Sequence, residues 1–287
     1  MILVGSMTKN KILFTGANGF LGKQIIPLLE SEGWEVVKPS SREVRLDVQS
    51  EVDSLFEGQT YHAIIHGAIK GGRRDIEDGP EVFYTNMQIF ENIFKHINKS
   101  NMFINLDSGA SYGRPAPVEE PTPKHFGQII PVDPYGFSKY CIAKRVLQHP
   151  YAINLRIFGC FGPYEEPTRF FNTNINNYIN KKSIEITKDR KIDFIYANDL
   201  YKIISHFLNL VEDFDCRDIN CVYDKKYYLS EIADMINNVS DHKVVISKHG
   251  TYNEFSYCGA PNNLPIVYEG IEKGIKDCYE YFCKRNI

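Results

Sequence analysis

A tyrosine and a lysine four residues apart, Tyr135 and Lys139, form the pair in this sequence best suited to proton transfer. On a helix, residues four apart face the same side. A phenol with a pKa near 10 is a poor acid or base at neutral pH, and a neighbouring ammonium group lowers that pKa. Ser108 ends a predicted strand, from which its hydroxyl can hydrogen-bond the same substrate oxygen. Taken alone, the tyrosine and lysine would more often be an ordinary pair on a helix surface.

Three glycines near the start of the chain, Gly16, Gly19 and Gly22, follow an apolar run and precede a helical pattern. The order predicts strand, tight turn and helix. Gly16 permits a backbone conformation that a side chain forbids, Gly19 lets a pyrophosphate approach, and Gly22 allows close helix packing. Free N–H groups of the first helical turn then face the phosphates. The pattern indicates a dinucleotide site, and the alternative is a glycine-rich turn without a ligand.

The residues after the second predicted strand bear on the choice of cofactor. An acidic residue usually accepts from the ribose 2′-OH of NAD at this point, but here Ser40, Ser41 and Arg42 follow the strand. Hydroxyls and an arginine suit a 2′-phosphate better, so NADP(H) is preferred and NAD(H) is the second possibility. The alternative is a solvated loop. Asp47 and Val48 lie where the chain can touch an adenine.

Strands and helices alternate over about 160 residues, which indicates an α/β fold with a doubly wound parallel sheet and right-handed crossovers. Its ligand lies beyond the carboxyl ends of the strands. We expect residues 8–163 plus 191–210 to form a dinucleotide-binding domain, and residues 164–190 plus 211–287 a smaller lobe that closes over the cleft. The predicted strands span 12–14, 34–38, 44–47, 63–68, 102–106 and 153–158, and the long predicted helices span 81–97 and 135–148.

Composition excludes several classes of protein. The net charge of −3 gives no basic surface for nucleic acid. No apolar run approaches the length of a membrane span, and the apolar residues 1–6 are too few for a secretory signal. The seven cysteines contain no C-x-x-C pair, so we expect reduced thiols in a cytoplasmic protein without disulfides or a metal site.

These motifs together resemble the extended short-chain dehydrogenase/reductases that act on nucleotide sugars. The resemblance covers residues 11 to about 210. It is carried by the glycine turn, the tyrosine–lysine pair and a further set of positions: Asp47, Asn86, Ser108 with Tyr112-Gly113, Leu155-Arg156, Phe161-Gly162-Pro163 and Asp193-Phe-Ile-Tyr with Asp199. It implies a Rossmann-type fold, a nicotinamide dinucleotide, a nucleotide-sugar substrate under a C-terminal lobe, and a homodimer formed through the helices at 81–97 and 135–148.

The resemblance also assigns roles to individual residues. The catalytic set is Ser108, Tyr135 and Lys139. The cofactor-binding set is Gly16, Asn18, Gly19, Phe20, Leu21, Gly22, Ser41, Arg42, Asp47, Val48, Gly67, Ala68, Lys70, Asn86, Leu106, Tyr135, Lys139 and Ile157. The substrate-binding set is Ser108, Gly109, Ala110, Arg169 and Arg190. Arg190 or Lys191 replaces the family's arginine on the pyrophosphate, because Ile192 stands at that position.

Departures from the family pattern narrow the reaction. The 4,6-dehydratases carry an Asp-Glu pair after the catalytic hydroxyl, where this chain has Gly109-Ala110, so dehydration is not expected. The stretches 41–48 and 68–72 are similar to GDP-fucose synthase and its NADPH-dependent relatives. The Cys and His with which that enzyme epimerises correspond to Ala110 and a site near Arg169, so neither is present. His125 lies in the proline-rich loop, where a lone histidine is more often solvated.

The sequence therefore predicts an NADPH-dependent reductase of a keto group of a nucleotide-linked deoxysugar, with C4 as the expected position and without epimerisation at C3 or C5. The enzyme alternative is an NAD-dependent 4-epimerase, which uses the same three catalytic residues in both directions. A non-catalytic NADP(H) sensor or scaffold belongs to a different class, and the intact Ser/Tyr/Lys set argues against it.

Overall fold

The computed structural model describes residues 10–73, 76–98, 101–114, 116–210, 217–250 and 256–285, so the apolar segment 1–6 lies outside the described residues. Six parallel strands form the main sheet in the order β2-β1-β3-β4-β5-β9. The strands of this sheet are β1 (Lys11–Thr15), β2 (Glu35–Val37), β3 (Ala63–His66), β4 (Met102–Ser108), β5 (Ala152–Ile157) and β9 (Asp218–Cys221). The helices are α1 (Phe20–Ser31), α2 (Gln49–Phe56), α3 (Glu81–Phe94), α4 (Pro134–Val146), α5 (Phe170–Ile179), α6 (Ala197–Leu208), α7 (Leu229–Asn237) and α8 (Gly270–Arg285).

Apolar side chains cover both faces of this sheet, as a buried parallel sheet requires. On one face, Ile25 of α1 and Phe207 of α6 join a single buried cluster with the strands. On the other face, Phe90 of α3 and Ile142 of α4 belong to a second buried cluster. The fold is therefore the Rossmann-type doubly wound α/β architecture, with the order of strands reversing between β1 and β3.

Two sequence-based expectations about the sheet are wrong. Residues 44–47 form turns and no strand, because Arg45 is held to Glu51 through its backbone N–H at 2.6 Å and its side-chain Nε at 2.7 Å. The sheet gains β9 instead, which pairs with β5 in the register Asn154↔Asp218. The expected boundary that placed all of 211–287 in a separate lobe is therefore wrong for this strand, whose Ile219 lies in the same core as α1.

A third buried cluster joins α5, α7 and α8. A two-stranded parallel sheet of β7 (Ile184–Ile186) and β10 (Ile246–Lys248) lies beside it. A second short pair, β6 (Cys160–Phe161) with β8 (Ile195–Tyr196), connects this region to the main sheet. Helix α7 has Tyr228 as its N-terminal capping residue.

In the part of the chain that the structure describes, every helix is too short or too polar to cross a lipid bilayer.

Candidate active site

The glycine turn leaves the start of α1 open to a ligand. Gly16 has φ +77°, and a Cβ there would lie 2.7 Å from the carbonyl carbon of Gly67. A Cβ on Gly22 would lie 2.3 Å from the oxygen of Ala17, so α1 packs against the turn only because the side chain is absent. Gly19 caps the helix without a side-chain hydrogen bond, which leaves first-turn N–H groups free to donate to a phosphate. These residues fit a dinucleotide pyrophosphate.

A cavity of about 800 Å³ opens at the carboxyl ends of the strands. It brings together ten residues that the sequence analysis assigned to the site. These are Phe20, Leu21, Gly67, Leu106, Ser108, Tyr135, Lys139, Ile157, Arg169 and Arg190. The three catalytic candidates therefore share one cavity with the start of the glycine-turn helix, as a reaction between a cofactor and a sugar requires.

Other assigned residues do not line this cavity. These are Gly16, Asn18, Gly19, Gly22, Ser41, Arg42, Asp47, Val48, Ala68, Lys70, Asn86, Gly109 and Ala110. Asn18, Gly19, Ser41, Arg42 and Asp47 are solvent-exposed around the turns after β1 and β2. In a doubly wound sheet, the adenosine half of a dinucleotide extends towards the turns after the first two strands.

The assignment of Gly109 and Ala110 to substrate binding needs correction. Ala110 is 0% exposed. Gly109 is also buried, and a Cβ there would lie 2.5 Å from the ring of Phe158. Both belong to a short 3₁₀ turn in which the Ala110 N–H donates to the Ser108 hydroxyl at 3.2 Å. They position Ser108 and do not themselves reach the cavity.

Asn86 also acts at a distance from the cavity. It is 1% exposed, and its side chain accepts from the Lys70 N–H at 2.8 Å and donates to the Lys70 carbonyl at 3.0 Å. The same amide donates to the Ser138 hydroxyl, which in turn donates to the Tyr135 carbonyl at 2.7 Å. Asn86 therefore ties the loop after β3 to the helix that carries Tyr135.

The charges around Tyr135 differ from the sequence-based expectation. Burial raises the pKa of Tyr135, while a hydrogen bond with Ser108 and the positive charge of Arg114 lower it. The Lys139 ammonium donates to the Leu106 carbonyl at 2.7 Å and lies 6.0 Å from the centre of the Tyr135 ring. Burial lowers the pKa of Lys139 to about 8. Arg114 is therefore a cation beside the phenol that the sequence analysis did not assign.

A buried ionic network is linked to the backbone of Ser108. Arg156 is fully buried and donates from Nε to Asp107 at 2.9 Å and to Ser111 at 2.8 Å. Its NH2 lies 2.9 Å from Asp218 on β9. Ser111 completes the link, because its hydroxyl contacts both the Asp107 carboxylate and the Ser108 carbonyl. The backbone at Ser108 is thereby fixed by three neighbouring strands.

Two further cavity residues, Arg114 and Tyr257, were missed by the sequence analysis. Arg114 directly follows the Tyr112-Gly113 motif, so its position was a usable signal. Tyr257 lies in an irregular stretch far along the chain, and no local pattern marks it. His125, by contrast, is held in a local cap in which its Nδ1 accepts from the Thr122 N–H at 3.0 Å.

The turn after β2 contains an acidic residue that the analysis of cofactor choice did not weigh. The N–H and hydroxyl of Ser40 both donate to the Glu43 carboxylate, at 2.9 and 2.7 Å. These bonds lower the pKa of Glu43 and turn its carboxylate towards Ser40. Ser41 and Arg42 are left exposed beside it.

The described ranges contain no group of three or more His, Cys, Asp or Glu side chains arranged to hold a metal ion.

Comparison with known proteins places this site in a family. The model of the "NAD dependent epimerase/dehydratase family" matches residues 12–221. GDP-L-colitose synthase of Yersinia pseudotuberculosis is 23% identical over 256 residues, which cover 81% of this chain and 83% of that protein. A putative UDP-glucose 4-epimerase of Methanocaldococcus jannaschii is 25% identical over 259 residues, covering 79% and 81%.

Among solved structures, the GDP-mannoheptose C4 reductase from Campylobacter jejuni with NADP bound superposes with a TM-score of 0.79. The alignment covers 97% of this chain and 100% of that one at 19% identity. At this identity the likeness concerns the fold.

Proposed function

The chain belongs to the NAD dependent epimerase/dehydratase family, and from that premise we propose that it is an NADPH-dependent reductase of a nucleotide-linked deoxysugar. The keto group reduced is at C4, and C3 and C5 are not epimerised. The observation that carries the proposal is the convergence of Ser108, Tyr135 and Lys139 in one cavity beside the glycine-turn helix. The relatives named for GDP-sugars favour a GDP-linked substrate.

The chemistry follows from the two hydroxyls at the end of β4 and the start of α4. Because its pKa is raised, Tyr135 is protonated at neutral pH and donates its proton to the carbonyl oxygen as the alcohol forms. The Ser108 hydroxyl polarises the same oxygen. The reduced nicotinamide, when bound, supplies the hydride to the carbonyl carbon. Lys139, largely charged below pH 8, stabilises the phenolate until solvent returns a proton.

The absence of epimerisation rests on what the acidic residues of the cavity already bind. Epimerisation beside a ketone needs a free base on one face of the ring and an acid on the other. Of the four carboxylates that line the cavity, Asp107 is paired with Arg156, Asp78 accepts from the Gly72 N–H at 2.9 Å, and Glu166 lies 4.0 Å from Arg169. The fourth, Glu165, is only 7% exposed. Ala110 offers no acid or base in any case.

NADP(H) is the proposed cofactor because Ser41 and Arg42 lie exposed where a 2′-phosphate would extend. A charge-assisted hydrogen bond of this kind contributes about 1.5–3 kcal/mol. Titration of NADPH and NADH against the wild type and Arg42→Ala tests the proposal. Tighter binding of NADPH, lost in Arg42→Ala, is expected. Equal affinities in the wild type would contradict it, as would an unchanged affinity in Arg42→Ala.

A homodimer is proposed through α3 and the start of α4. Tyr84 on α3 is 70% exposed and Val132 beside α4 is 97% exposed. The rings of Phe83 and Phe137 stack between the two helices at 4.9 Å. Exposed apolar side chains beside this ring contact favour a second copy of the chain as the partner.

The direct test is to incubate the protein with NADPH and a panel of nucleotide-linked 4-keto-6-deoxysugars, and to follow absorbance at the nicotinamide band. Net consumption of NADPH with one of them is expected. The 4-epimerase alternative, favoured by the Methanocaldococcus relative, predicts a protein that purifies with NAD bound and shows no net turnover of cofactor.

A further inference from the structure

A short segment, residues 256–260, crosses the cavity opposite the catalytic hydroxyls. Within it, the Tyr257 N–H donates to the Lys191 carbonyl at 2.9 Å, and the Asp193 N–H donates to the Tyr257 carbonyl at 3.0 Å. The Tyr257 ring packs edge-on against Phe158 with ring centres 5.2 Å apart. These contacts direct the phenol of Tyr257 into the cavity that Ser108 and Tyr135 line.

A buried carboxylate fixes this segment from behind. Asp193 accepts from the Gly259 N–H at 2.9 Å and from the Lys226 ammonium at 2.8 Å. The side chains of Asp193 and Lys226 are only 5% and 6% exposed. On the far side, the Ala260 N–H donates to the Pro121 carbonyl at 3.1 Å. The backbone on both sides of Tyr257 is therefore held, so its hydroxyl has a defined position.

Tyr257 and Arg114 line the same cavity as Ser108 and Tyr135. The Arg114 guanidinium carbon lies 5.7 Å from the Tyr257 ring centre. Ser108 and Tyr135 both influence the pKa of the Tyr257 phenol, so the two phenols face the same part of the cavity. This arrangement lets two phenols contact neighbouring oxygens of a single sugar ring.

Burial also decides how Tyr257 can act. It raises the pKa of Tyr257, and the opposing effect of Arg114 does not reverse the shift. The phenol is therefore protonated at neutral pH and serves as a hydrogen-bond donor to an acceptor oxygen, with the charge of Arg114 beside it.

We propose that Tyr257 and Arg114 bind the exocyclic oxygen at C3 of the substrate, next to the carbonyl that Tyr135 protonates. The inference rests on the proposed function. In a 4-keto-6-deoxyhexose, C5 carries a methyl group, and C3 is the neighbour of C4 that carries an exocyclic oxygen. The enzyme therefore selects sugars that keep this oxygen over their 3-deoxy counterparts.

The test combines one substitution in the protein with the removal of one oxygen atom from the substrate. Wild type, Tyr257→Phe and the control Tyr281→Phe are assayed with NADPH and a GDP-linked 4-keto-6-deoxyhexose, and then with its 3-deoxy counterpart. Tyr281 is a matched control because it lies on α8 and does not line the cavity. Tyr257→Phe should raise KM about tenfold for the 3-hydroxy substrate, as expected for one lost hydrogen bond, and leave kcat within about twofold. With the 3-deoxy substrate the variant and wild type should have the same KM.

Equal losses on both substrates, or no loss on either, would overturn the assignment. Unchanged NADPH affinity in Tyr257→Phe shows that the fold is intact. If the wild type reduces neither sugar, the proposed function fails. The contact is then tested by titrating, in the presence of NADP⁺, the GDP-6-deoxyhexose that carries a hydroxyl at C4 in place of the keto group, and its 3-deoxy form. A preference of the wild type for the 3-hydroxy ligand that disappears in Tyr257→Phe supports the contact. Identical binding by the two proteins, or no binding by either, refutes it.

Discussion

The two sides of the cavity are built in different ways. The floor consists of the end of β4, the 3₁₀ turn 109–112 and the start of α4, which carry Ser108, Tyr135 and Lys139. The roof is the irregular segment 256–260, which carries Tyr257. The floor is positioned by strand ladders and a helix, whereas the roof is held by a few backbone hydrogen bonds to residues 191–193.

Each side nevertheless rests on a buried carboxylate–cation pair. Asp218 pairs with Arg156 beneath the floor, and Asp193 pairs with Lys226 behind the roof. Burial raises the pKa of both carboxyl groups to about 6. Asp218 sits on a strand whose ladder with β5 holds the backbone independently, while Asp193 itself accepts the Gly259 N–H. The same type of pair therefore links β5 to β9 in the floor and sets geometry in the roof.

The largest effect is expected from the floor hydroxyl that we propose as the proton donor. Tyr135→Phe should lower turnover about 10²–10⁴-fold, which is the usual contribution of general acid catalysis, and leave NADPH affinity nearly unchanged. Lys139→Met should weaken both. Steady-state kinetics and cofactor titration measure these outcomes, with Tyr281→Phe as the control. If Tyr135→Phe kept more than about a tenth of the activity, a different acid would be required.

An isosteric change from Asp to Asn at Asp218 or at Asp193 tests whether the two carboxylates have different roles. Asp218→Asn and Asp193→Asn should each change the free energy of unfolding by no more than about 1 kcal/mol, because burial already disfavours each carboxylate charge and offsets the contact that is lost. Only Asp193→Asn should also raise KM for the sugar several-fold, since only this residue holds the segment with Tyr257. Urea unfolding and steady-state kinetics separate the two effects. A KM that rises equally in both variants would show that floor and roof are not distinct.

The raised pKa of Asp193 extends this prediction to pH. The folded state takes up a proton on this carboxyl near pH 6, and the unfolded state only near its ordinary value of 3.8. Between these values the folded state binds more protons, so acidification there does not lower stability through Asp193. It does weaken the contacts with Lys226 and Gly259. KM for the sugar should therefore rise below pH 6 in the wild type and stay flat over that range in Asp193→Asn.

The sequence predicts the floor well because its signals are local. The glycine spacing, the end of a buried strand at Ser108 and the four-residue spacing of Tyr135 and Lys139 each follow from regular secondary structure. The expected strand at 44–47 fails because the pairing of Arg45 with Glu51 forms a turn that a hydrophobicity pattern does not reveal.

The roof lies beyond local sequence reasoning for a physical reason. Tyr257 lines the same cavity as Ser108, which is 149 positions earlier in the chain. It is held there by bridges between irregular segments, and such bridges have no periodicity. The sequence analysis did not predict strand β9 for a similar reason, because α5 and α6 separate it along the chain from β5, the strand with which it pairs. Long-range pairing, and not residue type, decides both positions.

The central claim, reduction without epimerisation, is tested most directly by running the reaction in D₂O with NADPH and a GDP-linked 4-keto-6-deoxyhexose, and examining the product by NMR. We predict one NADPH consumed for each sugar reduced, with no deuterium at C3 or C5 above an enzyme-free control. Deuterium at either carbon would contradict this account. It would indicate a carboxylate of the cavity wall acting as a base, and Glu165→Gln would then be the first variant to examine.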